Sequence, residues 1–116
     1  ESANRVAQKV LEQLKAYFSG ERETFDLPVG FEGTSFQNKI WRAVEQVPFG
    51  RTATYKEIAV VAGNAKAARA VGLANRNNPI PIVVPCHRII GSDGGLTGYA
   101  GGLWRKEWLL RHEKEQ

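Results

Sequence analysis

The sequence predicts a mainly α-helical protein that contains a helix-turn-helix and at most a short β element. Apolar residues recur at helical spacing in several segments of the 116-residue chain, and capping boxes mark helix starts at Thr34 and Thr54. The apolar run from Ile80 to Val84 is enclosed by prolines and is too short for a buried helix, so we expect an extended core segment there. Together these observations predict a helical fold with little sheet.

The first predicted helix spans Ser2 to Phe18, because its apolar side chains recur every three or four residues and Gly20 follows as a stop. Residues 21–33 contain proline and glycine and are expected to form an extended connector. We therefore divide the chain into an N-terminal helix with its connector, residues 1–33, and a second domain, residues 34–116.

Two helices at the start of the second domain are predicted from their capping boxes. Thr34 and Gln37 form the first box, and the helix that follows ends before Pro48. Thr54 and Glu57 form the second box, which begins a short helix.

This short helix is predicted to end at Gly63, after which Asn64 can cap a further helix from about Ala65 to Arg76 that is dominated by alanine. A short helix, a tight turn and a small-residue helix are typical of a helix-turn-helix. Small residues let two helices cross closely, and they also let a helix approach a nucleic-acid backbone. An ordinary helical corner explains the pattern equally well, so the pattern alone leaves DNA binding open.

Residues 91–102 contain six glycines and are expected to form a loop, followed by a last helix from about Leu103 to Glu115. We interpret the three tryptophans, Trp41, Trp104 and Trp108, as core or packing residues. Basic residues in this half are interpreted as phosphate contacts or solubility charges: Lys66, Arg76, Arg105, Lys106 and Arg111.

The composition excludes several classes of protein. Hydrophobic residues make up 42% and charged residues 24%, which excludes a disordered or collagen-like chain. No apolar run is long enough for a membrane span, and the first segment is amphipathic rather than a signal peptide. Sixteen Lys and Arg against twelve Asp and Glu allow a nucleic-acid partner without requiring one.

Cys86 is the one cysteine of the chain, and His87 follows it directly. One cysteine excludes an internal disulfide, and with two histidines it offers too few ligands for a common structural zinc site, so no metal is predicted. If a turn brings the imidazole to the thiol, His87 could remove its proton directly or through a water, with Glu113 orienting the imidazole. A packed thiol beside a hydrogen-bonded histidine is the alternative that local spacing leaves open.

The longer segment 78–90, NPIPIVVPCHRII, is more specific. It resembles the active-site motif of the 6-O-alkylguanine-DNA alkyltransferases, also called methylated-DNA–protein-cysteine methyltransferases. Segments 49–55 and 67–72 resemble the helix-turn-helix of that family, and segments 98–102 and 106–113 resemble its substrate loop and last helix. The resemblance implies a winged-helix-like DNA-binding and alkyltransferase domain.

The resemblance also implies a catalytic role for five residues. Cys86 would accept the alkyl group, and His87 would act as its base through a water. Glu113 would orient His87, and Asn78 would brace the turn around the site. Tyr55 would donate its hydroxyl hydrogen toward the guanine as this leaving group departs.

By the same resemblance, the helix-turn-helix would dock in the minor groove, where a helix of small residues fits. Arg69 would enter the duplex and occupy the space of the rotated base, because a planar cation stacks on bases. The implied DNA contacts are Tyr55, Lys66, Ala67, Ala68, Arg69, Gly72 and Arg76. The implied lining of the base pocket is Val84, Tyr99, Ala100 and Gly101.

The implied function is DNA repair by a single-turnover reaction without a cofactor. The protein would flip 6-O-alkylguanine, with 4-O-alkylthymine as a further candidate, out of double-stranded DNA and move the alkyl group irreversibly to Cys86. No membrane or obligate protein partner is predicted. The expected location is the cytoplasm, on the nucleoid, in a bacterium or archaeon, and the nucleus in a eukaryote.

Two departures from the family pattern accompany the resemblance. Members usually carry an additional N-terminal α/β domain, so residues 1–33 are expected to be the junction to a domain that this sequence lacks and that normally packs on it. Ala100 stands where some members have serine. Two other functions stay open: a non-catalytic alkyltransferase-like damage-binding module, and a thiol hydrolase that uses Cys86 and His87.

Overall fold

The computed structural model describes residues 2–27, 30–92 and 102–115. These residues contain five α-helices and one pair of very short strands, which confirms the mainly helical prediction. The chain divides into two compact units, one ending at Gly30 and the other spanning Phe31–Glu115. The expected junction to a further domain stays a prediction.

The first unit is built on helix α1, Ser2–Phe18, as predicted. The predicted connector folds back on this helix, because Gln13 Nε2 donates to Asp26 O at 3.0 Å and Gln13 Oε1 accepts from Asp26 N at 2.9 Å. Tyr17 is fully buried and its ring lies 5.6 Å from that of Phe25. Amide pairing and ring packing therefore hold the helix and connector together.

Both predicted capping boxes are present in the second unit. Thr34 caps helix α2, Ser35–Glu45, and Thr54 caps helix α3, Tyr55–Val61; in each the threonine hydroxyl and the Gln or Glu side chain satisfy the first backbone amides. Helix α4, Ala68–Arg76, follows α3 and packs with it and with α2. The helices enclose a core of small and branched side chains: Ile40, Ala43, Val44, Ile58, Ala59, Val71 and Ala74.

The helix-turn-helix starts its second helix later than predicted. We expected Asn64 to cap a helix from Ala65, but α4 begins at Ala68. The Asn64 side chain accepts from the backbone amide of Lys66 at 3.1 Å, and its carbonyl accepts from Ala67. These bonds close a local turn instead of starting a helix, because an asparagine side chain competes for the same amides.

The segment before Cys86 is a turn and not the predicted extended core segment. The amide of Val84 bonds to the carbonyl of Ile80 at 3.0 Å, and Ile82 has a φ of 76°. Asn78 causes this geometry, because its side chain accepts from Ile80 N at 2.9 Å and donates to Val84 O at 2.7 Å. Val84 is the fully buried member of the turn.

A single 3₁₀ turn, Cys86–Arg88, leads into strand β2, Ile89–Ile90, which pairs in parallel with strand β1, Ala53–Thr54. Ala53 lies opposite Ile89, and Thr54 lies opposite Ile90. Since Thr54 also caps α3, this pairing fixes the start of the helix-turn-helix beside the cysteine turn.

Helix α5, Leu103–Lys114, does not bury the two tryptophans that were interpreted as core or packing residues. Trp41 is buried as expected, but Trp104 and Trp108 are 67% and 48% exposed. Lys106, interpreted as a surface charge, is fully buried. The buried side of the helix carries Lys106 and Glu113, which bond to Ile89 and His87, and its tryptophans lie on the other side. Within the described ranges, no helix is long and apolar enough to cross a membrane.

Candidate active site

Cys86 begins the 3₁₀ turn, where Pro85 precedes it and only 3% of its surface is exposed. Its amide donates to Val84 O at 2.8 Å. Burial raises the pKa of the Cys86 thiol, while a hydrogen bond from Asn78 and the charge of Lys106 partly oppose the rise. The thiol is therefore the resting form, and it needs a proton acceptor to react as a thiolate.

The turn brings His87 and Glu113 together, with His87 Nε2 at 2.7 Å from Glu113 Oε2. His87 is fully buried, and this burial lowers its pKa despite the opposing effect of Glu113. The imidazole is thus neutral near neutral pH. Its Nδ1 atom is buried and has no hydrogen-bond partner in the described part of the chain.

Arg88 decides which nitrogen of His87 carries the proton. Its Nε and Nη2 atoms donate to the two carboxylate oxygens of Glu113, each at 2.8 Å. This bidentate pair keeps Glu113 ionised and able only to accept. His87 must then donate through Nε2, which leaves the lone pair on Nδ1 available to accept a proton.

The same arginine fixes the site to the end of α2. Arg88 Nη1 donates to Val47 O at 2.8 Å, and its guanidinium lies 5.6 Å from the centre of the Phe49 ring. Glu113 Oε1 also accepts from the amide of Gly50 at 3.3 Å. Arg88 was not among the predicted site residues, although its place directly after His87 was a signal for it.

Lys106 is a second residue that the sequence analysis missed. Its Nζ donates to Ile89 O and lies 5.8 Å from the centre of the Tyr55 ring. Burial lowers the pKa of Lys106 to about 8, and the negative charge that Cys86 carries as a thiolate acts in the opposite direction. Its spacing from Leu109 and Glu113 on α5 was the available signal, since positions three and four apart share a helix face.

The predicted DNA contacts lie around an open groove of about 630 Å³ on the outer side of α4. Arg69 is exposed there, and a Cβ added to Gly72 would lie 3.9 Å from Tyr55, in ordinary contact. Lys66 is exposed in the preceding turn, and Ala67 is half-buried just before α4. The groove is lined by Tyr55, Ala68, Arg69, Ala70, Gly72, Leu73 and Arg76.

The structure therefore brings together Cys86, His87, Glu113 and Asn78, with Val84 in the adjoining turn. It places Tyr55 between Lys106 and the groove. Tyr99, Ala100 and Gly101, predicted to line the base pocket, lie outside the described residues. Among the residues that are described, no group of three or more His, Cys, Asp or Glu side chains could hold a metal ion.

Known proteins resemble both the sequence and the fold. The family model for the 6-O-methylguanine DNA methyltransferase DNA-binding domain matches residues 35–115. A methylated-DNA–protein-cysteine methyltransferase of Methanosarcina barkeri is 61% identical over 102 residues, which cover 88% of this chain and 65% of the relative. The chain thus spans just under two thirds of that protein's length.

Solved structures give the same result. The crystal structure of a Mycobacterium tuberculosis protein named OGT, in complex with DNA, matches with a TM-score of 0.91 and 52% identity, covering 93% of this chain and 67% of that one. S. pombe Atl1, in complex with damaged DNA containing O6-carboxymethylguanine, matches with a TM-score of 0.63 and 33% identity, covering 72% and 79%. This chain belongs to the 6-O-methylguanine DNA methyltransferase family, whose DNA-binding domain its residues 35–115 match.

Proposed function

We propose that this chain repairs duplex DNA by moving the alkyl group of 6-O-alkylguanine to Sγ of its own Cys86. The observation that carries the proposal is the turn Cys86–Arg88, in which a buried thiol is followed directly by a buried imidazole whose Nε2 is bound to Glu113. Family membership and relatives named methylated-DNA–protein-cysteine methyltransferase support it.

The chemistry follows from the protonation states of the site. His87 Nδ1 takes the thiol proton, directly or through a water, and Glu113 stabilises the imidazolium that forms. The Cys86 thiolate attacks the alkyl carbon; the S–C bond forms as the C–O6 bond breaks, and the electron pair leaves with the guanine. Tyr55 donates a hydrogen bond to the departing guanine, which takes up a proton as the imidazolium of His87 releases the thiol proton, so protons balance. A thioether is a poor leaving group, so Cys86 is consumed once.

Access to the thiol requires the base to leave the duplex. Cys86 is 3% exposed, and O6 of a stacked guanine does not reach a buried sulfur. We propose that α4 lies in the minor groove with Arg69 filling the space of the flipped base, since the small residues of the helix leave room for close approach. Lys66 and Arg76 then contact phosphates, together with backbone around Ala67, Ala68 and Gly72.

The rest of the proposal concerns substrate and setting. Val84 and the segment Tyr99–Gly101 would line the base pocket, with 4-O-alkylthymine as a further candidate substrate and no cofactor. An additional N-terminal domain, which the family resemblance implies, would pack on residues 1–33. The protein would act where the chromosome lies: on the nucleoid in the cytoplasm of a bacterium or archaeon, or in a eukaryotic nucleus.

Intact mass spectrometry tests the transfer directly. Incubation with a duplex that contains one 6-O-methylguanine should add one methyl group to the protein, in amounts that match the lesion consumed. The Cys86→Ser variant is the control and should gain no mass.

Two other results of this experiment would indicate a different function for the site. Tight binding to the lesion without a mass gain would indicate a damage-binding module, as in the structure of S. pombe Atl1 with damaged DNA. Sustained turnover by the pure protein would indicate a thiol hydrolase.

A further inference from the structure

Asn75 joins helix α4 to the backbone of the cysteine turn. Its Nδ2 atom donates to the carbonyl of Cys86 at 3.1 Å, and the residue is 2% exposed. The same carbonyl accepts the amide of Ile89, which closes the 3₁₀ turn. The carbonyl of the proposed nucleophile is therefore held from its own turn and from the neighbouring helix.

The two ends of α4 face different surroundings. Arg69 is exposed at the groove near the start of the helix, and Asn75 follows six residues later on the buried side. Six residues correspond to a rise of about 9 Å and a rotation of about 240° along an α-helix. One rigid element thus carries the proposed base-displacing residue and the hydrogen bond to Cys86.

The end of α4 that carries Asn75 is fixed from other directions as well. Trp41 Nε1 donates to Ala74 O at 2.8 Å, which ties the last turn of α4 to α2. The amide of Asn78 bonds to Asn75 O at 3.3 Å, and the Asn78 side chain holds the turn before Cys86. A displacement of this end of α4 would therefore be transmitted to Cys86 through Asn75.

Stability alone does not explain an asparagine at this place. Asn75 Oδ1 is buried and has no hydrogen-bond partner among the described residues. A buried amide oxygen without a partner opposes folding, and an apolar side chain of similar shape would avoid that cost. The donor on Nδ2 is the feature that an apolar residue would not supply.

We propose that Asn75 is a positioning residue, which holds the backbone of Cys86 in register with α4 so that the thiol meets the alkyl carbon of a base displaced by that same helix. The inference rests on the proposed transfer to Cys86. It assigns Asn75 no contact with substrate or DNA.

Asn75→Leu tests this role because it keeps the branched shape of the side chain and removes the donor. The single-turnover rate at saturating duplex and the rate with free 6-O-benzylguanine should both fall roughly 10-fold or more, since small misplacements of reacting groups are costly. The Kd for duplex DNA and the melting temperature should not worsen. Asn75→Asp, which replaces the donor by an acceptor, should be as slow as Asn75→Leu.

Val71→Ala is the matched control, because Val71 is fully buried on the same helix and makes no side-chain hydrogen bond to Cys86. It should lower the melting temperature and leave both rates unchanged at a temperature where the variant is folded. Wild-type rates in Asn75→Leu, or rate losses that only follow its loss of stability, would overturn the inference. So would a loss confined to DNA affinity.

A DNA-free measurement separates this inference from the proposed function. Cys86 is the one cysteine of the chain, so its reaction with iodoacetamide reports on this thiol alone. Asn75→Leu should change that rate, while Val71→Ala should not. A wild-type protein that fails to transfer would remove the proposed function, whereas an unchanged iodoacetamide rate in Asn75→Leu would remove only the positioning role.

Discussion

The outer side of α4 and the turn Cys86–Arg88 satisfy their polar groups in different ways. The groove on α4 is open, includes the small residues Ala68, Ala70 and Gly72 in its lining, and carries exposed Arg69 and Arg76. At the cysteine turn, the charges of Arg88 and of Glu113 on α5 are buried and bonded to each other and to backbone. An exposed cation contributes little to stability and acts mainly by binding a ligand such as DNA. A buried ion pair must instead be complete in the folded protein, before any ligand binds. We therefore expect changes in the groove to act on DNA and changes in the turn to act on folding and chemistry.

The largest expected effect comes from removing one partner of the buried ion pair. Arg88→Leu should lower the free energy of unfolding by about 3–5 kcal/mol, because it leaves the charge of Glu113 buried and uncompensated. Urea denaturation measures the change. Arg111→Ala, which breaks the exposed pair with Glu107, is the matched control and should cost no more than about 0.5 kcal/mol. Equal losses in the two variants would contradict the contrast between buried and exposed charge.

A second effect, on chemistry rather than stability, should come from His87. His87→Ala should slow transfer to free 6-O-benzylguanine by about 100-fold or more, as expected for loss of a positioned base. Single-turnover kinetics with the folded variant measure this loss. A wild-type rate would exclude His87 from the mechanism.

The pH dependence sharpens the assignment of His87. Burial lowers its pKa from 6.5 and raises that of Cys86 from 9.0. Between those values the site holds a thiol and a neutral imidazole, so the wild-type rate should be level there and fall below pH 6.5 as the imidazole is protonated. In His87→Ala only preformed thiolate reacts, so the rate should rise with pH throughout this range. A rising profile in both proteins would contradict the role of the base.

In the groove, Arg69→Ala should act on duplex DNA alone. Unstacking a base costs a few kcal/mol, and Arg69 offsets part of that cost by filling the gap. We therefore expect the single-turnover rate at saturating duplex to fall roughly 10-fold. The rate with free 6-O-benzylguanine should stay at the wild-type value, since that substrate needs no flipping. Equal losses on both substrates would indicate a structural role, and full recovery at saturating DNA would indicate a phosphate contact.

The smallest effect should come from a single phosphate contact. We expect the wild-type slope of log K against log salt to lie roughly between −2 and −6, and Lys66→Ala should make it shallower by about 1. Titrations of duplex binding at several salt concentrations give both slopes. A binding constant that does not change with salt concentration would contradict an electrostatic contribution from this face.

Sequence reasoning succeeded where the cause of a structure is local. The boxes at Thr34 and Thr54 were predictable because their hydrogen bonds join residues three positions apart. The proximity of His87 to Glu113 was anticipated because His87 follows Cys86 directly and Glu113 is well placed on the last helix to orient its imidazole. The shift of the α4 start was a local error of the same kind, since the Asn64 side chain closes a turn as readily as it caps a helix.

The residues that were missed share a different property. Arg88, Lys106 and Asn75 all donate to backbone carbonyls that are distant in the chain, those of Val47, Ile89 and Cys86. A carbonyl has no residue type, so no sequence pattern marks it as an acceptor. Helix α5 exposes Trp104 and Trp108 against expectation for the same reason. Its inward side is set by the acceptors that it meets, and the distribution of Trp104 and Trp108 does not reveal them.

The network of hydrogen bonds around Glu113 has a consequence for the folding of the chain. Val47 and Arg88 are 41 positions apart, and Gly50 and Glu113 are 63 positions apart. Contacts of such separation form late, because closing a long loop costs entropy before the contact offsets it. A chain that is still folding therefore carries Cys86 without an assembled base beside it. Under the proposed mechanism, base-assisted transfer to Cys86 therefore begins only after the segments around Glu113 have come together.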